Sequence, residues 1–157
     1  MVEIRELNKE VDLSDLIKLS REFFQEYQEH HKDFFNLDNL RDEEISSYFS
    51  SFSENDKRIS YVAVLDEKII AYITVYIKEQ ADYWQIKKVG EISGLMVKKE
   101  YRRKGIARQL LAQAVDFFRV EGIKYYTVYT AVANHSGIDF YRNNGFLPLY
   151  TTLIGEI

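Results

Sequence analysis

The stretch Glu91-Ile92-Ser93-Gly94-Leu95-Met96-Val97-Lys98-Lys99-Glu100-Tyr101-Arg102-Arg103-Lys104-Gly105-Ile106-Ala107 constrains this chain more than any other. A mostly apolar run passes into a short basic turn with one glycine. A helical repeat of apolar residues, Leu110, Leu111, Ala114, Val115 and Phe118, begins at once. Backbone N–H groups at a helix start have no partner within the helix, and the helix dipole favours negative charge there. A strand, turn and helix start joined in this way form a cradle for phosphate. Gly105 lets the backbone approach an anion closely, and Arg102, Arg103 and Lys104 add positive charge. The turn is not a Walker loop, which needs two glycines and a Lys-Ser/Thr pair, nor is it a dinucleotide fingerprint. From this pattern alone, a basic turn capping a helix without any ligand stays open.

The flanking sequence sets the architecture. Residues 2–7 read as a short strand. Asp12 or Ser14 can cap a helix running to about residue 31, with Leu13, Leu16, Ile17, Phe23, Phe24 and Tyr27 at helical spacing. A second helix is expected over 41–52. Residues 59–65 and 68–77 form a hairpin across Asp66-Glu67. Residues 78–88 are a loop or extend the strands beside them, and 89–97 is the strand of the central stretch. A helix over 107–120 ends near Gly122. A strand over 124–131, a helix over 134–144 closed by Gly145, and a last strand over 146–154 complete the chain, with Pro148 marking an edge or a bulge. The order β-α-α-β-β-β-α-β-α-β mixes hairpins with crossover helices. It implies an α/β (α+β) fold with a mixed sheet packed by helices. No repeat or Pro/Gly-rich linker interrupts residues 1–157, so one domain is expected.

Composition narrows the function. A net charge of -4 lacks the basic excess of a duplex binder, so no nucleic-acid partner is expected. With Cys 0, no disulfide, cysteine nucleophile or cysteine zinc site can form. His30 and His31 are adjacent and His135 is remote, so no metal is expected. No run of about 18 apolar residues exists, and the N-terminus lacks the apolar core of a signal peptide. The expectation is a reducing, cytoplasmic setting with no membrane partner. The oligomeric state, a homodimer included, is not legible. His135, Ser136 and Asp139 share one helical turn and lack the convergence that a hydrolase triad needs.

Arg102-Arg103-Lys104-Gly105-Ile106-Ala107 fits the Gln/Arg-x-x-Gly-x-Gly/Ala signature of the GNAT superfamily of N-acetyltransferases, which the chain resembles. The family's downstream pattern is also present as Asn134, Gly137 in place of Ala, Phe140-Tyr141 and Gly145-Phe146. The resemblance spans nearly the whole chain. It implies acetyl-CoA as co-substrate, with the pyrophosphate on the main-chain N–H groups of Arg103, Lys104, Gly105, Ile106, Ala107 and Arg108. The pantetheine arm would pair with the backbone of Leu95 and Val97, Asn134 would contact coenzyme A, and Tyr141 would lie near the thioester sulfur. Gly94, independently, reads as a strand bulge or a point of close packing.

A protonated amine cannot attack a thioester, and a lysine-like amine has a pKa near 10.4, so a proton acceptor is needed. Glu91 is the candidate: an acidic residue among apolar neighbours, whose partial burial would raise its pKa. A glutamate on a wet face is the bland alternative. Glu91 precedes Arg102 by eleven residues. By resemblance, that is the offset of the glutamate base in the histone-acetyltransferase branch. The implied reaction is direct transfer of acetyl to an amine, with the Leu95 N–H on the developing oxyanion and Tyr141 protonating the thiolate. A non-catalytic acetyl-CoA-binding sensor would keep residues 102–107 and dispense with Glu91 and Tyr141. The acceptor amine itself is not legible, although Glu22, Glu26, Glu29, Asp33, Glu79 and Asp82 would suit a cation.

Overall fold

The computed structural model describes residues 1–157. Its five-stranded sheet has the order β1-β2-β3-β4-β5, with β1 Glu3–Glu6, β2 Arg58–Leu65, β3 Lys68–Glu79, β4 Lys88–Val97 and β5 Tyr126–Val128. The helices are α1 Leu13–Tyr27, α2 Asp42–Ser50, α3 Ile106–Val120 and α4 His135–Asn143. Short 3-10 turns at Gln28–His30, Ser51–Ser53 and Lys99–Tyr101 extend α1 and α2 and precede the basic turn. Strands β1 to β4 are antiparallel and β5 joins β4 in parallel. The expected mixed sheet is therefore present.

Local chemistry explains the boundaries. Asp66 and Glu67 both take left-handed backbone angles, φ 49 and 61, which match a two-residue hairpin turn to the twist of its strands. Gly105, at φ 78, is the N-cap of α3. The Asn134 side chain accepts a hydrogen bond from the Gly137 N–H at 3.2 Å and so caps α4. Gly145 closes α4 at φ 89, with the Phe146 N–H donating to the Tyr141 carbonyl at 3.0 Å.

The sheet lies between two apolar layers. On one face Ala71, Ile73, Val75, Ile92 and Val97 meet Ile106, Leu110, Leu111, Ala114 and Phe118 of α3. On the other, Val62, Ile69, Tyr72 and Met96 meet Leu16, Leu19, Ile45 and Phe49 of α1 and α2. Phe49 is fully buried, which stabilises this layer by roughly 2–3 kcal/mol. Arg5 donates to both carboxylate oxygens of Asp12 at 2.7 and 2.8 Å, fastening β1 to the start of α1.

Two expectations are corrected. The strand expected over 124–131 is paired only at Tyr126–Val128. The strand expected over 146–154 is absent, and no backbone hydrogen bond is made beyond Phe146. Pro148 has no N–H to donate, and Leu147, Leu149, Leu153 and Ile154 are exposed, so the alternating pattern finds no layer to pack on.

Candidate active site

The site is built around an irregularity in β4. Thr74 pairs with Gly94 and Val75 with Ile92, which leaves Ser93 without an opposite residue. This is a β-bulge. It sits one residue before Gly94, and Gly94 also shows the close packing that was the alternative. A Cβ there would come within 2.9 Å of Thr74 Oγ1 and 3.2 Å of a Tyr72 ring carbon. The bulge changes which face each preceding side chain meets, because successive residues of a strand alternate in direction. Counted back from Val97, an unbroken strand would point Glu91 into the α3 core. The extra residue puts Ile92 in that core and turns Glu91 to the α1/α2 face beside Tyr76.

Three hydroxyls lock the bulge. Tyr48 of α2 lies 2.8 Å from Thr74 Oγ1 and 2.9 Å from Ser93 Oγ. Ser93 Oγ in turn lies 2.9 Å from Thr74 Oγ1. Burial pushes the Tyr48 phenol up, and its two hydroxyl partners oppose that shift.

Beyond the bulge the sheet opens. β5 pairs with β4 only at Gly90, Glu91 and Ile92, so residues 93–97 have no strand on that side. The Lys98 N–H donates to the Ile70 carbonyl across β3 at 2.8 Å. Residues that bond across an antiparallel ladder alternate with residues that do not. The N–H groups of Leu95 and Val97 therefore point away from β3, into the opening. Where this edge ends, the basic turn begins. Arg103 has φ 61 and Gly105 φ 78, and none of the backbone N–H groups from Arg103 to Arg108 has a backbone partner. Left-handed residues within such a turn gather N–H groups into an anion-binding concavity. A Cβ on Gly105 would have nothing within 4 Å, so the space in front of the turn is open.

Glu91 stands at the last paired steps of β4 and β5, 7% exposed. Its carboxylate accepts a hydrogen bond from the Tyr76 hydroxyl at 2.9 Å and faces Lys78 Nζ at 3.5 Å. The Tyr76 phenol is pushed up to about 12, first by burial and then by its bond to Glu91. It therefore remains a donor at any ordinary pH. Burial, reinforced by the nearby Tyr27, pushes the Tyr141 phenol far above the usual tyrosine range. Its ring packs edge-on against Phe140 and Phe146.

Other expected residues are placed differently. The Arg102 side chain is turned away from the anion cradle: its Nε donates to the Val97 carbonyl at 2.8 Å, and its terminal nitrogen bonds both oxygens of Glu26 at 2.7 and 2.8 Å. Arg102 thus joins the turn to α1, leaving Arg103 and Lys104, both exposed, as the charges beside the cradle. Asn134 is occupied at both ends, by Gly137 N–H and by Thr130 Oγ1 at 3.0 Å. A Cβ on Gly137 would lie 2.4 Å from Asn134 Nδ2, so an alanine there would require the Asn134 amide to shift. A cleft of about 460 Å³ beside Phe52, Arg58 and Glu121 lies near the far end of α3 from Gly105 and contains none of these residues. Among the described residues no group of acidic, histidine or cysteine side chains could hold a metal ion, and no helix is long and apolar enough to cross a membrane.

Residues 15–146 match the family model described as acetyltransferase (GNAT) family. The chain belongs to the GNAT acetyltransferase family. An uncharacterized N-acetyltransferase of Archaeoglobus fulgidus is 25% identical over 145 residues, covering 90% of each chain. The fold is shared with solved structures. A tetramutant protein of Bacillus halodurans superposes with a TM-score of 0.86 at 20% identity, over 99% of both chains. A predicted acetyltransferase of Clostridium acetobutylicum, solved with acetyl-CoA, superposes at 0.80 with 19% identity, over 99% of this chain and 96% of that one.

Tyr76, Lys78, the Tyr48–Thr74–Ser93 ring and the Glu26 partner of Arg102 carry no local signal in the sequence. Tyr76 and Lys78 become neighbours of Glu91 only because of the bulge, and Glu26 lies 76 residues from Arg102.

Proposed function

We propose that this GNAT protein is an N-acetyltransferase that moves an acetyl group from acetyl-CoA directly to a primary amine. The observation that carries this reading is two successive sets of free donors: the N–H groups of Leu95 and Val97 on the open edge of β4, and those from Arg103 to Arg108, with the Glu91 carboxylate two residues before the opening starts. That edge and cradle suit a long co-substrate with an amide-bearing arm and a pyrophosphate. Bound acetyl-CoA would supply the activated thioester.

In this reading Arg103, Lys104, Gly105, Ile106, Ala107 and Arg108 hold the pyrophosphate through their main chain, and Leu95 and Val97 orient the arm. The Leu95 N–H donates to the carbonyl oxygen on which negative charge develops. Glu91 takes the proton of the incoming ammonium, directly or through one water. It lies two residues before Ser93, about 7 Å along the strand from where the opening starts. Tyr76 holds one carboxylate oxygen in place. Tyr141, kept protonated by burial, gives a proton to the departing thiolate. Asn134 fixes the start of α4, the helix that carries Tyr141. Arg102 sets the angle between β4 and the cradle.

The test is release of free thiol from acetyl-CoA against a panel of amines, from polyamines and aminoglycosides to peptides with free N-termini or lysines. Amine-dependent release, lost in Gly105→Glu, is expected. Tight acetyl-CoA binding without release for any amine would favour a sensor over an enzyme.

A further inference from the structure

Glu91 has one cationic partner, Lys78, whose Nζ lies 3.5 Å from Oε2. Lys78 pairs with Val89, so it stands on the side of Glu91 away from the opening. On the side toward the opening there are phenols instead. Thr127 of β5 is opposite Glu91, and the strands part after Ile92 and Val128. Side chains alternate along a strand, so Tyr129, two residues after Thr127, leaves the same face as Glu91. The register carried one step past Val128 sets Tyr129 level with the Ser93 bulge. By the spacings along and between strands, its Cα is roughly 8 Å from that of Glu91. The Tyr150 hydroxyl donates to the Tyr129 hydroxyl at 2.6 Å, and the two rings meet at 67° with centroids 6.0 Å apart. Tyr76 and Tyr48 stand on the β3 side, bonded to Glu91 and to Ser93. The Tyr150 phenol is pushed up to about 12, first by its bond to Tyr129 and then by partial burial; the charges of Tyr129 and Glu91 add to the rise. Tyr150 is thus close enough to feel the carboxylate. Tyr129 and Tyr150 are 59% and 62% exposed, so the core does not account for their rings.

We propose that Tyr129 and Tyr150, together with Glu91, form the subsite that receives the acceptor, and that the acceptor is an aliphatic amine arriving as its ammonium ion. This rests on the N-acetyltransferase reading above and names its substrate class. The face of a tyrosine ring attracts a cation, and a carboxylate beside it adds to the attraction. An aromatic amine is uncharged near neutral pH and gains from neither. Each carboxylate oxygen has two lone pairs, so Glu91 can accept from an incoming N–H while it keeps Tyr76 and Lys78. Leu95 lies two residues beyond Ser93 on β4, about 7 Å. An amine held level with Ser93 therefore lies between the carboxylate that takes its proton and the N–H assigned to the oxyanion.

Recognition is measured apart from chemistry by saturating the protein with coenzyme A, which carries no acetyl group, and titrating n-butylammonium or n-butanol by NMR. The two probes are similar in size and differ in charge. The ammonium is expected to bind at least roughly tenfold more tightly. Tyr129→Leu and Tyr150→Leu should each weaken it by roughly 3- to 30-fold. Tyr129→Phe, which keeps the ring face, should weaken it by less than roughly threefold. In turnover with n-butylamine, Tyr129→Leu should raise KM and leave kcat nearly unchanged, whereas a disturbed fold would lower kcat and coenzyme A affinity as well. Equal binding of the two probes, or wild-type affinity in both leucine variants, would overturn the subsite. So would thiol release with an aromatic amine and with no aliphatic one. In each of these cases continued amine-dependent thiol release leaves the transferase reading standing. If the protein binds neither acetyl-CoA nor coenzyme A and releases thiol with no amine, both fall.

Discussion

The two halves of β4 differ in what lies beside them. Residues 88–92 have β3 on one side, and from Gly90 to Ile92 they have β5 on the other. Residues 93–97 keep β3 and lose β5. The first half is a closed sheet that uses its rigidity to hold one carboxylate. The second has unspent N–H groups along an open edge, an arrangement that proteins normally blunt or cover because it invites another chain. Here the open edge leads into the cradle before α3, so its chemistry suits an extended small molecule. One extra residue, Ser93, separates the halves, and it also turns Glu91 out of the α3 core. In this account, binding is assigned to the open half and proton transfer to the closed half. The expectations below can break that division or sharpen it.

The largest effect is expected in the closed half. Glu91→Gln keeps the shape and can still accept from Tyr76, but it cannot take a proton. With one good amine acceptor, kcat should fall by roughly 10²–10⁴-fold near neutral pH, with acetyl-CoA affinity nearly unchanged. Part of the loss should return at high pH, where free amine is plentiful. Parallel pH profiles for the two proteins would show that Glu91 only positions or packs.

A second substitution addresses the open half alone. Gly105→Glu forces a side chain onto a left-handed residue and places negative charge where the pyrophosphate would lie. Calorimetry should show acetyl-CoA affinity weakened by roughly 100-fold or more. Equal affinities would detach the cradle from the co-substrate.

Tyr141→Phe keeps the ring packed on Phe140 and Phe146 and removes the proton. A fall in kcat of roughly 10- to 100-fold is expected, with binding unaltered. An unchanged rate, with the chemical step shown to limit turnover, would remove the tyrosine from proton transfer.

The smallest effect belongs to Tyr76. Its phenol is pushed up to about 12 by burial and by Glu91, so the native state favours the neutral hydroxyl. The stability this contributes is complete below about 10, the ordinary tyrosine value, and is lost as pH rises through about 12. Tyr76→Phe should cost about 0.5–1.5 kcal/mol in denaturant unfolding at neutral pH. It should also shrink the loss of stability of the wild type above pH 10. Identical alkaline curves would mean that the Tyr76–Glu91 bond does not persist in solution.

The contrast between the halves also shows what the sequence disclosed. The strand, the basic turn and the α3 start were legible because their signals are local: apolar periodicity, a glycine at the N-cap, and basic residues between them. The same holds for Asn134 and Gly145 at the ends of α4. Gly94 signalled the bulge, yet the unopposed residue is Ser93, because Gly94 is needed directly under Thr74 and Tyr72. That one-residue difference decides which side chains meet Glu91, so Tyr76 and Lys78 could not be paired with it beforehand. Arg102 read as a phosphate ligand because its partner Glu26 is brought near only by the packing of α1. The pattern over 146–154 read as a strand because alternation is visible in sequence, whereas the absence of a covering layer is not.

The division of β4 is tested most directly by amide hydrogen exchange, residue by residue, with and without acetyl-CoA. The amides of Leu95, Val97 and Arg103 to Arg108 lack partners in the free protein. They should exchange rapidly there and become protected on binding. The amides of Gly90 and Ile92, already within the paired part of the sheet, should change little. Protection that appears instead around Phe52 and Arg58, or no change along Leu95 to Arg108 at saturating acetyl-CoA, would contradict the assignment of the open half of β4 as the binding edge.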